Sequence, residues 1–173
     1  MIIELSATVS QAETIEVPLP AAVGAYRCGV ENTIPFDVGQ TLDSVLTVSV
    51  VWSGSIVGGL GHGDGVERDA NEWFSWPGNF SATMYPGTDW HAWSPLMEGE
   101  FAVKSVFGGF FAHSWDFLLD GEATVVISLN AAIVVGGIMV TPPQGTIHDA
   151  QLVIDYTTPV ESLTWGRVKS MFR

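Results

Sequence analysis

An antiparallel all-β fold of the β-sandwich type, with helix confined to a short C-terminal amphipathic segment, is what this sequence predicts, on three observations. Apolar and polar residues alternate in one stretch after another, the two-residue period of half-buried strands. Nineteen glycines and nine prolines in 173 residues supply a turn between nearly every pair of such stretches. The longest apolar run, Ala123 to Val140 (ATVVISLNAAIVVGGIMV), has the β-branched content of a sheet.

That run decides between lipid and core. Its eighteen residues reach the minimum of about 18 for a membrane span. Val125, Ile127 and Leu129 nevertheless alternate with Thr124, Val126, Ser128 and Asn130, and Gly136-Gly137 would be poor choices at lipid depth. No Lys or Arg flanks either end to set an orientation, so no membrane span is expected. Two adjacent core strands, 123–130 and 132–141, are predicted instead.

The other elements follow in chain order. Ile3, Leu5, Ala7 and Val9 alternate with polar residues as a first strand. Ile15, Val17 and Leu19 repeat the pattern, but Pro18 and Pro20 demote this segment to an edge strand or connection. Residues 21–40 show little periodicity and predict loop with one short strand around Tyr26. Thr41 to Val57 is a strand with Leu46, Val48, Val50 and Trp52 on one face, and Gly54 marks a bend or bulge. Val57 to Asn71 is turn-rich loop. Phe80, Ala82 and Met84 oppose Ser81, Thr83 and Tyr85 as a strand between Pro77 and Pro86. Residues 100–130 predict three successive antiparallel strands turning at Gly108-Gly109 and at Asp120-Gly121. After a loop at 144–149, a last strand places Leu152, Ile154 and Tyr156 inward.

Residues 1–157 thus form one β domain, and 158–173 a basic tail. Thr158-Pro159-Val160-Glu161 is a helix start, with Thr as N-cap, Pro at the first helical position and Glu at the third. Val160, Leu163, Trp165, Val168 and Phe172 follow at helical intervals, with Arg167, Lys169 and Arg173 between them. Trp165, Arg167, Val168, Lys169 and Phe172 are accordingly the expected partner-docking residues. The chain carries 19 acids and six bases, net −13, and half of those bases lie in the last seven residues. Such an acidic body repels phosphate backbones, which argues against nucleic acid; the tail is expected to dock on its own β body, as terminal helices commonly do, or else on a second copy as an assembly partner.

Two stretches are candidate sites. Asp64, Glu67, Asp69 and Asn71 place four oxygen donors within eight positions on a glycine-rich backbone, which suits calcium; the same residues also serve a plain solvated turn, and the spacing departs from the twelve-residue helix-loop-helix signature. The segment from Glu72 to Pro95 concentrates Trp73, Trp76, Tyr85, Trp90 and Trp93 with Asp89 and His91. These rings either cap a core or form a platform that stacks on sugar rings or a partner. No other cofactor is implied. The four histidines are too dispersed for a metal motif, no GxSxG nucleophile turn occurs, and the lone Cys28 reads as a small apolar residue. Paired carboxylates such as Asp116 and Asp120 leave a glycoside-active enzyme as an alternative.

The strand pattern resembles jelly-roll-like sandwiches in general, which implies binding, capsid or scaffold roles. The expected function is a non-enzymatic binding or structural module of an exported or surface-assembled protein, with carbohydrate binding by the 73–93 aromatics as its main rival. Few lysines with abundant Thr, Ser, Val and Gly suggest an extracellular or cell-surface location, although Met1-Ile2-Ile3-Glu4 has neither the basic start nor the apolar core of a signal peptide.

Overall fold

One sixteen-residue strand, Gln144–Pro159, organises the molecule in the computed structural model, which describes residues 10–63, 71–86, 90–109, 114–132 and 136–159. The fold is all-β, with thirteen described strands: β1 (Ser10–Pro18), β2 (Gly24–Arg27), β3 (Glu31–Asp37), β4 (Ser44–Val57), β5 (Gly59–Gly63), β6 (Trp73–Trp76), β7 (Gly78–Tyr85), β8 (Trp90–Trp93), β9 (Gly99–Val106), β10 (Gly108–Gly109), β11 (Glu122–Ala131), β12 (Gly137–Thr141) and β13 (Gln144–Pro159). All ladders between them are antiparallel. Two 3-10 turns, Pro20–Ala22 and Asp116–Leu118, are the described helical elements.

In the first sheet, ordered β1-β13-β4-β9, β13 pairs with β4 from Gln144↔Val57 to Thr157↔Ser44. Its other edge is shared: Gln144 to Ile147 meet β2, and Gln151 to Pro159 meet β1. The Pro20–Ala22 turn fills the handover, and Leu19 N–H donates to the Ala150 carbonyl there. The expected edge role of the proline-interrupted 15–19 segment is met by β1, which pairs with β13 alone among the described strands.

Two register shifts in the β13·β4 ladder correct the sequence reading. His148 is an extra residue between Ile147↔Gly54 and Asp149↔Ser53, so the inward set changes from Gly145 and Ile147 to Ala150, Leu152, Ile154 and Tyr156. That switch of parity hides the period of two, which is why 144–149 reads as loop when it is strand. Leu46 is the extra residue at the other shift, between Thr47↔Asp155 and Val45↔Tyr156. It is turned out, 50% exposed, while its expected neighbours Val48, Val50 and Trp52 are buried.

The second sheet runs β10-β8-β7-β11-β3, with β11 between β7 and β3. Val125, Ile127 and Leu129 of β11 are fully buried beside Phe80, Ala82 and Met84 of β7, as their alternation predicts. Residues 21–40 hold more order than expected, because β3 carries Ile34 and Phe36 inward while Pro35 is tolerated at the sheet edge. The predicted three-strand meander over 100–130 does not form. β9 belongs to the first sheet, Gly108-Gly109 is itself a short strand against β8, and Asp116–Leu118 is a turn. Gly121 does make the turn into β11, at φ +86 and against the Gln40 carbonyl.

A third, three-stranded sheet, β12-β5-β6, continues the β4/β13 ribbon beyond Gly58 and Pro142-Pro143. β12 therefore pairs with β5 and not with β11, and it is exposed, so 132–141 is not the second core strand expected. At the opposite end, the expected N-cap Thr158 and first helical residue Pro159 are strand residues paired with Gln11 and Ser10. The predicted first strand at 3–9 and the predicted helix from Val160 onward lie outside the described residues.

The first two sheets share one hydrophobic core. Phe80 of β7 meets Tyr26 edge-on at 5.3 Å between centroids, Phe101 at 5.7 Å and Trp52 at 6.2 Å, each from the first sheet. Asp155 adds a polar tie across three neighbouring strands, accepting hydrogen bonds of 2.7 Å from both Thr14 of β1 and Thr47 of β4.

Phe80→Ala should remove about 3–5 kcal/mol of stability, whereas Leu46→Ala should stay within about 0.5 kcal/mol, both read by urea unfolding. The two threonine hydroxyls hold the Asp155 carboxyl below its ordinary range. A carboxyl depressed in the folded state contributes stability that is present above its unfolded pKa, about 4, and is lost as pH falls through the lower folded value. Thr14→Val with Thr47→Val should therefore move the Asp155 NMR titration upward and lower stability at neutral pH, and the deficit should vanish in strong acid.

Candidate binding face

The third sheet has two faces of opposite character, and glycine spacing separates them. Gly59, Gly61 and Gly63 of β5 turn inward and are buried, so Leu60 and His62 point out. A Cβ on Gly61 would stand 2.5 Å from the Phe74 ring and 2.7 Å from Trp76, and one on Gly137 would also strike Phe74. Only glycine at these positions lets the two rings, 5.3 Å apart between centroids, lie flat on the strands. Trp76 is buried, and its indole N–H donates to the Ala132 carbonyl.

Cross-strand pairing fixes the outer face. Ile138, His62 and Trp73 form one row across β12, β5 and β6, and Thr141, Leu60 and Ser75 form the next. The His62 and Trp73 rings meet edge-on at 4.8 Å. Ile138 is 60% exposed, Trp73 57% and Leu60 42%. Val140 is the extra residue at the register shift of β12, and it is exposed together with Met139. The Glu98 carboxylate and the Ser75 hydroxyl both pack over Gly58, and Glu72 precedes Trp73, so exposed acids adjoin the apolar rows. Among the described strands nothing pairs with the outer edge of β12.

The five sequence-predicted aromatics divide among separate places. Trp73 belongs to the face just described. Trp90 stacks on the buried Trp115 at 3.8 Å between centroids and packs against the core. Trp93 is exposed on β8 beside His91, and it borders a shallow cleft with Val103 and Lys104. Tyr85 is exposed at the rim of a cleft of about 740 Å³ over the ends of β3 and β11. A single platform built from all five is therefore not what the fold presents.

The Tyr85 cleft brings Asp37, Asp120 and Glu122 together with Pro35 and Pro86. Asp37 and Glu122 are cross-strand partners. Asp37 accepts from the Gly39 N–H at 2.6 Å, and Asp120 from the Glu122 N–H at 3.2 Å. Asp116, the other half of the carboxylate pair considered for glycoside chemistry, sits in the 3-10 turn and does not line this cleft.

Of the proposed calcium ligands, Asp64, Glu67 and Asp69 lie outside the described residues, and Asn71 stands in an exposed turn. Among the described residues no group of three or more His, Cys, Asp or Glu is placed to hold a metal ion, and no helix is long and apolar enough to cross a membrane. The expected docking residues Trp165, Arg167, Val168, Lys169 and Phe172 also lie outside the described residues. Sequence reasoning missed Leu60, His62, Ile138 and Val140. The signal for the first two was Gly-x-Gly-x-Gly, which here is a strand with one bare face, not a loop.

A scan against protein-family models finds no match to the chain, and a search of curated proteins finds none.

Acrylamide quenching of tryptophan fluorescence checks this placement. Trp73→Phe and Trp93→Phe should each lower the quenchable fraction, while Trp52→Phe should raise it, because that change removes a buried emitter.

Proposed function

We propose that this chain is a non-enzymatic binding or structural module of an exported or surface-assembled protein, built as a jelly-roll-like sandwich. The outer face of the three-stranded sheet carries this reading: Leu60, Trp73 and Ile138 stand exposed in adjoining rows, next to a strand edge of β12 that no other described strand pairs with. Apolar residues grouped in this way on a sheet mark a contact surface, and an open edge invites pairing with another chain. The two facing five-stranded sheets supply a rigid base for it.

Carbohydrate binding is the second reading, and the Tyr85 cleft favours it. An exposed ring beside three carboxylates offers one stacking surface and several hydrogen-bond acceptors for sugar hydroxyls. A fluorescence titration with mixed oligosaccharides against wild type and Tyr85→Ser addresses this reading separately, because Tyr85 and Trp73 belong to different sheets.

Trp73→Ser combined with Ile138→Ser tests the contact face. The double variant should keep its melting temperature within a few degrees, since both side chains are exposed, and should weaken self-association at least tenfold in sedimentation velocity. A wild-type chain that stays monomeric at high micromolar concentration, or a variant that associates as well as wild type, overturns the reading.

A further inference from the structure

Building on that contact-face reading, we infer that the occupant of the outer face is the C-terminal segment of a second copy, giving head-to-tail assembly. Three observations carry the inference. The first is polarity. β13 starts at Gln144 beside the three-stranded sheet and ends at Pro159, and its sixteen residues at about 3.3 Å each separate these points by roughly 50 Å. The apolar face and the exit of the tail therefore stand at opposite poles of the molecule.

The second is reach. Trp165 lies six residues past Pro159, so even a fully extended chain carries it only about 20 Å. That is less than half of the way back along β13. Its own face is out of range of Trp165, while the face of a neighbouring copy is not.

The third is chemical fit. Residues 160–173 hold Arg167, Lys169 and Arg173 against one acid, net +2, which leaves −15 of the total −13 on the remainder. Trp165, Val168 and Phe172 recur at three- and four-residue spacing between these bases. The receiving face offers Leu60, Trp73 and Ile138 with Glu72 and Glu98 at its margin. Apolar residues bordered by basic ones thus meet apolar residues bordered by acidic ones. Because donor and acceptor are different surfaces, the contact is heterologous and each bound copy leaves one free face and one free tail.

Mixing of full-length variants tests this. Trp165→Ser with Phe172→Ser removes the donor, and Trp73→Ser with Ile138→Ser removes the acceptor. Each variant alone should associate at least tenfold more weakly than wild type, whereas an equimolar mixture should give a 1:1 heterodimer that grows no further and weakens as salt is raised. A mixture that remains monomeric overturns the inference. Should the acceptor variant lose association while the donor variant assembles like wild type, the tail is not the occupant but the contact-face reading stands. If neither pair of substitutions changes association, both fail. A donor variant that is monomeric like wild type but melts lower places the tail on its own body, which also overturns the inference.

Discussion

The Phe80 ring, seated on Gly145, is the contact on which the arrangement of the two large sheets depends. A Cβ at Gly145 would stand 2.7 Å from the ring, so the strand must be bare at that point for the second sheet to approach. Gly54 on the neighbouring strand plays the same part for Phe101, and its added Cβ would also run into the Thr146 carbonyl. Two glycines on adjacent strands thus receive two rings, and Tyr26 and Trp52 close around them. Tyr26 extends the constraint outward, donating to the Ala22 carbonyl at 2.9 Å and accepting from Asn32 at 3.1 Å, which anchors the Pro20–Ala22 turn and β3 to the same hub. Burial raises the pKa of its hydroxyl and keeps it a donor.

The small sheet repeats the device with a different result. Gly61 and Gly137 admit Phe74, and Gly61 also Trp76, on one side, and the rings supply the burial that three short strands cannot find among themselves. The Phe74–Trp76 pair lies on that side. The outer side is left with Leu60, His62, Trp73 and Ile138, which have no second layer over them among the described residues. The exposed apolar face is thus a by-product of how the strand glycines are placed.

Much of this was legible in the sequence wherever the period of two ran unbroken. Val125, Ile127 and Leu129, Phe80, Ala82 and Met84, and Leu152, Ile154 and Tyr156 are buried as their alternation indicated. The misreadings cluster where one residue is inserted. The extra residues His148, Leu46 and Val140 each reverse the parity of a strand, and a strand read by parity alone then breaks or faces the wrong way. Glycine misled in a second manner: in β5 it marks a strand face without side chains, yet by composition it signals a turn. Pairing was the least visible property. The apolar run 123–140 reads as two neighbouring core strands, but β11 and β12 lie in different sheets, because hydrophobicity says that a residue is covered and not by which strand. The aromatic segment is conspicuous by composition, but its division between core and surface depends on which sheet each strand joins.

The continuity of β13 also has a mechanical meaning. Its inter-strand hydrogen bonds run across the strand, and the strand itself runs from one pole of the molecule to the other. Tension applied between the poles loads those bonds in shear, side by side, and not one after another as in a peeled hairpin. Rupture then demands that many bonds yield together, so the long axis of this protein is its strong axis.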